Sequence, residues 1–240
     1  MFLKYSGNDI PYVATPSNLT TPSSINHAGA FSLPTKSLGG MPSADKQLGC
    51  KDLAGYLESI HYRKKDAGTL TSSMMSSIVD KAHELDLETQ ESNSEFIASD
   101  ENCVTLMNAL KAVSALKILP GTPNATTDIA CLKWFIHKHG CAIVETYLAN
   151  SFLAENASRV FDISSVGSNT PIVRKDYTKA FTAFGYDSTG IIVQNTLGLP
   201  WGALGFARIS WSCLNSTVAL PDGQSAKCFI AGWILNGGFN

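Results

Sequence analysis

The stretch that most constrains this chain runs from Lys179 to Trp211, KAFTAFGYDSTGIIVQNTLGLPWGALGFARISW. Its apolar runs, Phe181–Tyr186, Ile191–Val193 and Phe206–Trp211, are separated by breaks that hold Gly185, Gly190, Gly198, Gly202 and Gly205. Short apolar runs punctuated in this way predict three short strands joined by turns. Gln194 and Asn195 end the middle strand and lead into a loop that carries Trp201 and Gly202. An amide at a strand end beside a Trp-Gly turn suits an orienting role.

Upstream the period changes from strand to helix. Leu53, Tyr56, Leu57 and Ile60 fall at helical spacing, with Gly68 just past the end. A second helix is expected over Ser72–Leu87, with Met75, Ile78, Val79, Ala82 and Leu85 on one side, followed by an acidic loop from Asp86 to Asp100. A third spans about Cys103–Leu119, stopped by Pro120-Gly121, and a fourth Thr127–His139. For the fourth, Asp128 or Thr127 is the N-cap and Gly140 the stop. Cys141–Leu148 then reads as a strand, and strands continue from Thr178 to the end. Helices first and strands after predict an α+β protein with two segregated lobes: a helical lobe over about 46–125 and a mainly antiparallel β lobe over 126–240.

Residues 1–45 are a separate compositional unit, rich in Ser, Thr, Pro and Gly and without a helical or strand period. They read as an extended arm that its own globular body or a neighbouring molecule must hold.

Eighteen basic and twenty acidic residues give a net charge of −2, which argues against nucleic-acid binding. Arg63-Lys64-Lys65 reads as a solvated helix C-terminus. The beginning of the sequence has no apolar core of a secretion signal and no apolar run reaches the length of a membrane span, so an intracellular chain without membrane partners is expected. The sequons at Asn18, Asn124, Asn156 and Asn215 then read as chance matches. Six cysteines, Cys50, Cys103, Cys131, Cys141, Cys213 and Cys228, are too scattered for a small disulfide scaffold. Each is a disulfide candidate, with Cys213 the nearest local partner for Cys228 across a Pro-Asp-Gly turn. No cysteine or histidine spacing is that of a zinc site; His137 and His139 near Cys141 are a weak signal, and neither metal nor cofactor is expected.

The segment GYDSTGIIVQNTLGLPWGALGFARI resembles the closing part of papain-like cysteine peptidases, which read G-Y, a strand, then N-S-W-G-x-x-W-G-x-x-G-x-x-R-I. Gly185-Tyr186, Asn195, Gly198, Trp201-Gly202, Gly205 and Arg208-Ile209 stand at the family's spacings. Fainter similarity extends over about Asp45–Trp233 and leaves out the first 44 residues. The resemblance implies a papain-like two-lobe fold. It also implies a thiolate at a helix N-terminus, a His base, an Asn that orients it and an oxyanion donor.

Only the Asn is kept. Asn195 matches the orienting residue, but the His position, sixteen residues earlier, is Lys179. A lysine there is cationic at neutral pH and offers no nitrogen to deprotonate a thiol. Ungapped alignment on Gln47-Leu48-Gly49 puts Lys51 at the nucleophile position and Asp45 at that of the oxyanion Gln. Cys50, one residue earlier, is an outside candidate for the nucleophile, without a His base at the matching place.

The resemblance therefore implies a degenerate site, and no enzyme is expected. The expected function is a structural protein that self-assembles by exchanging residues 1–45 between neighbours. Insect-virus occlusion-body proteins (polyhedrins), of the nudivirus kind, resemble this description. For such a protein the partners are itself and virions, and the location is the occlusion body of an infected cell. The alternative is a papain-like peptidase working through Cys50, or a peptide-binding pseudo-peptidase using the old cleft.

Overall fold

The computed structural model describes residues 17–27, 72–92, 106–119, 121–147, 162–163, 179–195, 202–203, 205–219 and 225–236. The expected helix around Leu53–Ile60 lies outside them.

Two helices form one layer. Helix α1 (Ser72–Ser92) turns Ile78, Ala82 and Asp86 inward at a four-residue spacing, all fully buried. It continues past Leu87, where an acidic loop was expected, because Asp86 has a buried partner. Asn108 Nδ2 donates to Asp86 Oδ1 at 2.5 Å and to Thr89 Oγ1 at 3.3 Å. That pairing removes the cost of burying a carboxylate alone. Helix α2 (Leu106–Ala115) is buried on most of its surface, from Leu106 through Leu110 and at Ala112 and Val113. It ends before Pro120, the expected stop. Lys117 takes a left-handed φ of 56°, and the Ile118 N–H reaches back to the Val113 carbonyl at 3.0 Å, which closes the helix.

The second layer is a sheet. Strand β1 (Ile25–Asn26) lies in the N-terminal arm, and β2 (Thr122–Thr126) follows α2. Helix α3 (Ile129–His139) and β3 (Ala142–Thr146) come next, then β4 (Asp162–Ile163), β5 (Lys179–Tyr186), β6 (Gly190–Gln194) and β7 (Phe206–Ser210). A one-turn helix α4 (Trp211–Asn215), a small hairpin β8 (Thr217–Ala219) and β9 (Ser225–Lys227), and the long β10 (Phe229–Asn236) complete the described chain.

The order across the sheet is β2-β10-β3-β5-β6-β7-β4, with β1 also on β5. Among the described residues every pairing is antiparallel except β4 with β7. Strand β2 contains Pro123, which has no N–H for a second ladder, and it stands at the edge beside β10 alone.

Alternation along the strands divides the core in two. Cys141, Ile143, Ala180, Phe184, Ala231, Trp233 and Leu235 pack toward α1 and α2. Ala142, Val144, Phe181, Ala183, Val193, Ala207 and Ile209 pack with Leu132, Phe135 and Ile136 of α3. Burial on both faces explains why these strands are almost continuously apolar. Helix α3 has the expected ends: Asp128 accepts from the Ala130 N–H at 2.8 Å, and Gly140 closes it at φ 85°. The α+β architecture, helices against an antiparallel sheet, is as the sequence implies.

Within the arm, Ile25 and Asn26 lie on the chain's own sheet. Ile25 and Asn26 pair with Tyr186 and Gly185. The His27 N–H donates to the Phe184 carbonyl at 2.9 Å, and Tyr186 Oη donates to the Pro22 carbonyl at 3.1 Å. Strand β3 pairs with β5 only as far as Ala183, so β1 occupies the edge that β3 leaves open.

Candidate functional site

The site's frame is the β5–β6 pair and the glycine turn after it. The register Thr182↔Gln194 and Ala183↔Val193 brings Asn195, the next residue, level with the first residues of β5. Its backbone N–H donates to the Gly205 carbonyl at 3.0 Å, which ties the end of β6 to the turn before β7. That turn needs glycine. Gly202 has φ 55°, and a Cβ there would overlap the Phe206 carbonyl oxygen, while Ala203 and Phe206 exchange backbone hydrogen bonds of 2.8 and 3.1 Å.

Asn195 is 3% exposed, and among the described residues neither Oδ1 nor Nδ2 has a hydrogen-bond partner. Each such orphan costs about 1–3 kcal/mol. Lys179 heads β5, its backbone in register with Thr146 of β3. The structure thus brings the strand positions of Lys179 and Asn195 to neighbouring levels of one β pair. Lys51, Cys50 and Asp45, together with Gly198, Trp201 and Cys103, lie outside the described residues.

The remaining expected residues fall elsewhere. Cys131, Cys213 and Cys228 are free and buried, and Cys141 is buried. Burial pushes the Cys131 thiol up, against a smaller opposing effect of its hydrogen bond with Thr126. His139 stands edge-on to Trp134 and Phe135, with centroids 6.0 and 6.3 Å away, as a core residue of α3. Among the described residues no group of three or more His, Cys, Asp or Glu could hold a metal, and no helix is long and apolar enough to cross a membrane.

The sequence reading missed Asp187, between β5 and β6. Its Oδ1 accepts from the Thr189 N–H (2.8 Å), Thr189 Oγ1 (2.6 Å) and the Gly190 N–H (3.0 Å). Its Oδ2 is 2.8 Å from Arg208 Nη2 on β7, and its carbonyl accepts from Trp211 Nε1 at 2.9 Å. The hydrogen bonds from Thr189, the Gly190 N–H and the Arg208 charge hold its carboxyl below the usual value. Lys133 Nζ lies 4.4 Å from the centroid of the Trp211 ring. Asp187-Ser188-Thr189-Gly190 is the signature of such a turn, an acid whose side chain bonds the backbone two residues on.

Comparison of the sequence with protein-family models and with curated proteins finds no match. Comparison of the fold with solved structures does. Procathepsin B S9 from Trypanosoma congolense superposes with a TM-score of 0.57 at 12% identity, over 95% of this chain and 82% of that one. The fold is papain-like. Xylellain, a cysteine protease from Xylella fastidiosa, superposes at 0.53 and 11% identity, over 95% of this chain and 91% of that one. Digestive procathepsin L 3 of Tenebrio molitor larval midgut superposes at 0.52 and 14% identity, over 94% and 73%. The papain-like superpositions leave out only about a twentieth of this chain, so they extend into the first 45 residues, which the sequence motif leaves out.

Proposed function

We propose that this chain is a non-catalytic, self-associating structural protein on a papain-like scaffold, of the kind that packs viral occlusion bodies. The observation that carries the reading is Asn195: a buried amide whose Oδ1 and Nδ2 have no hydrogen-bond partner among the described residues. On the papain-like resemblance, this residue exists to hold an imidazole. The position sixteen residues before it is Lys179, whose ammonium has no lone pair with which to deprotonate a thiol. A scaffold that retains the orienting amide and lacks the base supports packing, not peptide hydrolysis.

Self-association draws on two further properties. A net charge of −2 on 240 residues gives little mutual repulsion between copies. A 45-residue arm whose seat is a strand edge offers a contact that a second copy can supply as well as the first. Sedimentation velocity over a range of concentrations at moderate salt tests the reading. Large, concentration-dependent particles are expected. A monodisperse monomer at high concentration, with residues 1–45 open to proteolysis, would overturn the self-association.

A further inference from the structure

The C-terminal end of the sheet brings two thiols together that the papain-like site does not use. Ser210 caps α4 by accepting from the Cys213 N–H at 3.0 Å. Ser216 then bridges the two cysteine backbones. Its N–H and Oγ both donate to the Cys213 carbonyl, at 3.0 and 2.6 Å, and its own carbonyl accepts from the Cys228 N–H at 2.8 Å. The Thr217↔Lys227 pairing of the β8–β9 hairpin holds that arrangement from the other side. Both thiols are free, 1% and 0% exposed, and belong to the same core cluster; Cys228 Sγ reaches the Tyr147 carbonyl at 3.4 Å.

The other buried thiols are differently placed. Cys141 belongs to the opposite core, toward α1 and α2, and Cys131 is engaged by the Thr126 hydroxyl. A pocket of about 440 Å³ opens beside the pair, walled by their chain neighbours Leu214, Asn215, Lys227 and Phe229. A small displacement of the one-turn α4 would admit a small molecule from there.

We propose that Cys213 and Cys228 are a dithiol that closes to a disulfide on exchange with a low-molecular-weight disulfide such as oxidised glutathione. The bond then staples α4 to the start of β10. In the first step the Cys213 thiolate attacks one sulfur of the oxidised glutathione, forming a mixed disulfide and releasing one glutathione thiolate. In the second the Cys228 sulfur, having lost its proton, attacks the Cys213 sulfur and releases the second glutathione thiolate. Two S–H bonds are lost and one S–S bond forms. The two electrons and two protons end on two glutathione thiols. Cys213 is the member of the pair to ionise first, since the Cys228 thiol donates toward it, while the shared proton and burial push Cys228 up.

The proposal is independent of whether the scaffold catalyses anything or assembles. Tryptic cleavage after Arg208 and Lys227 puts the two cysteines on separate peptides, 209–227 and 228–240. The full chain is refolded in oxidised and reduced glutathione, capped with iodoacetamide and digested without reductant. A linked 209–227/228–240 pair that separates on reduction is expected. The oxidised protein should melt about 5–10 °C above the reduced protein. Cys213→Ala should lose both signals, and Cys141→Ala should keep both. Recovery of 209–227 and 228–240 as separate capped peptides from oxidised, folded protein would overturn the proposal. So would linkage of either peptide to a different cysteine.

Discussion

Asn195 and Asp187 are opposite cases of a polar side chain between strands. Asn195 has both amide atoms buried and without a partner among the described residues, so a side chain of similar shape without polar atoms should fit at no cost. Asn195→Leu is expected to leave the melting temperature unchanged or raise it by a few degrees, about 1 kcal/mol or less. A loss of more than about 2 kcal/mol would show that the amide has a stabilising role. Asp187 is fully engaged, and its replacement should cost. Asp187→Ala removes three accepted hydrogen bonds and the Arg208 pair and is expected to destabilise by about 1–2 kcal/mol at neutral pH. Its folded pKa is depressed, so the stabilisation is complete above the unfolded carboxylate value near 3.9 and is lost as pH falls below it through the folded value. Urea unfolding of both proteins should therefore differ at pH 7 and converge toward pH 2 (roughly). A difference that persists unchanged to low pH would contradict the assignment.

Among the elements, the seat of β1 depends on one glycine. A Cβ on Gly185 would overlap the Ile25 carbonyl oxygen and stand 3.0 Å from the Asn26 Cα, both backbone atoms that cannot turn aside. Gly185→Val is expected to unseat β1, which hydrogen exchange would detect as lost protection of the His27 amide. Retained protection at His27 would contradict it. The legible elements were those with local punctuation: α3 between Asp128 and Gly140, and the three strands between Lys179 and Trp211. Those that were not legible depend on contacts distant in sequence. Asp86 reads as loop until Asn108, on another helix, is known to donate to it. Thr122–Thr126, between two expected helices, carries no strand expectation, until the strand is found at the edge of the sheet. Trp211 reads as the end of a strand, while the Ser210 hydroxyl makes it the first residue of a helix. The arm has no strand period, and only the free edge of β5 makes Ile25–Asn26 a strand. Of the candidate site, the papain-like resemblance singled out Asn195 and Lys179, and only the packing shows that the Asn195 amide has no partner among the described residues.

For the whole molecule, a papain-like fold at 11–14% identity to its structural neighbours leaves the chemistry to the residues that occupy the site. On the reading proposed above, a buried Asn195 amide without a partner among the described residues, and Lys179 sixteen residues before it, turn the scaffold from catalysis toward packing. Ile25 and Asn26 pair with β5, and on the proposed reading an exchanged arm would bind that same edge on another copy. Incubation of the purified chain with a thiol-reactive epoxide peptidase inhibitor, followed by intact-mass measurement and a peptide-hydrolysis assay, tests the central claim most directly. The expected result is no adduct and no hydrolysis at any pH from acid to neutral. A single adduct on Cys50, with hydrolysis that disappears in Cys50→Ala, would contradict it.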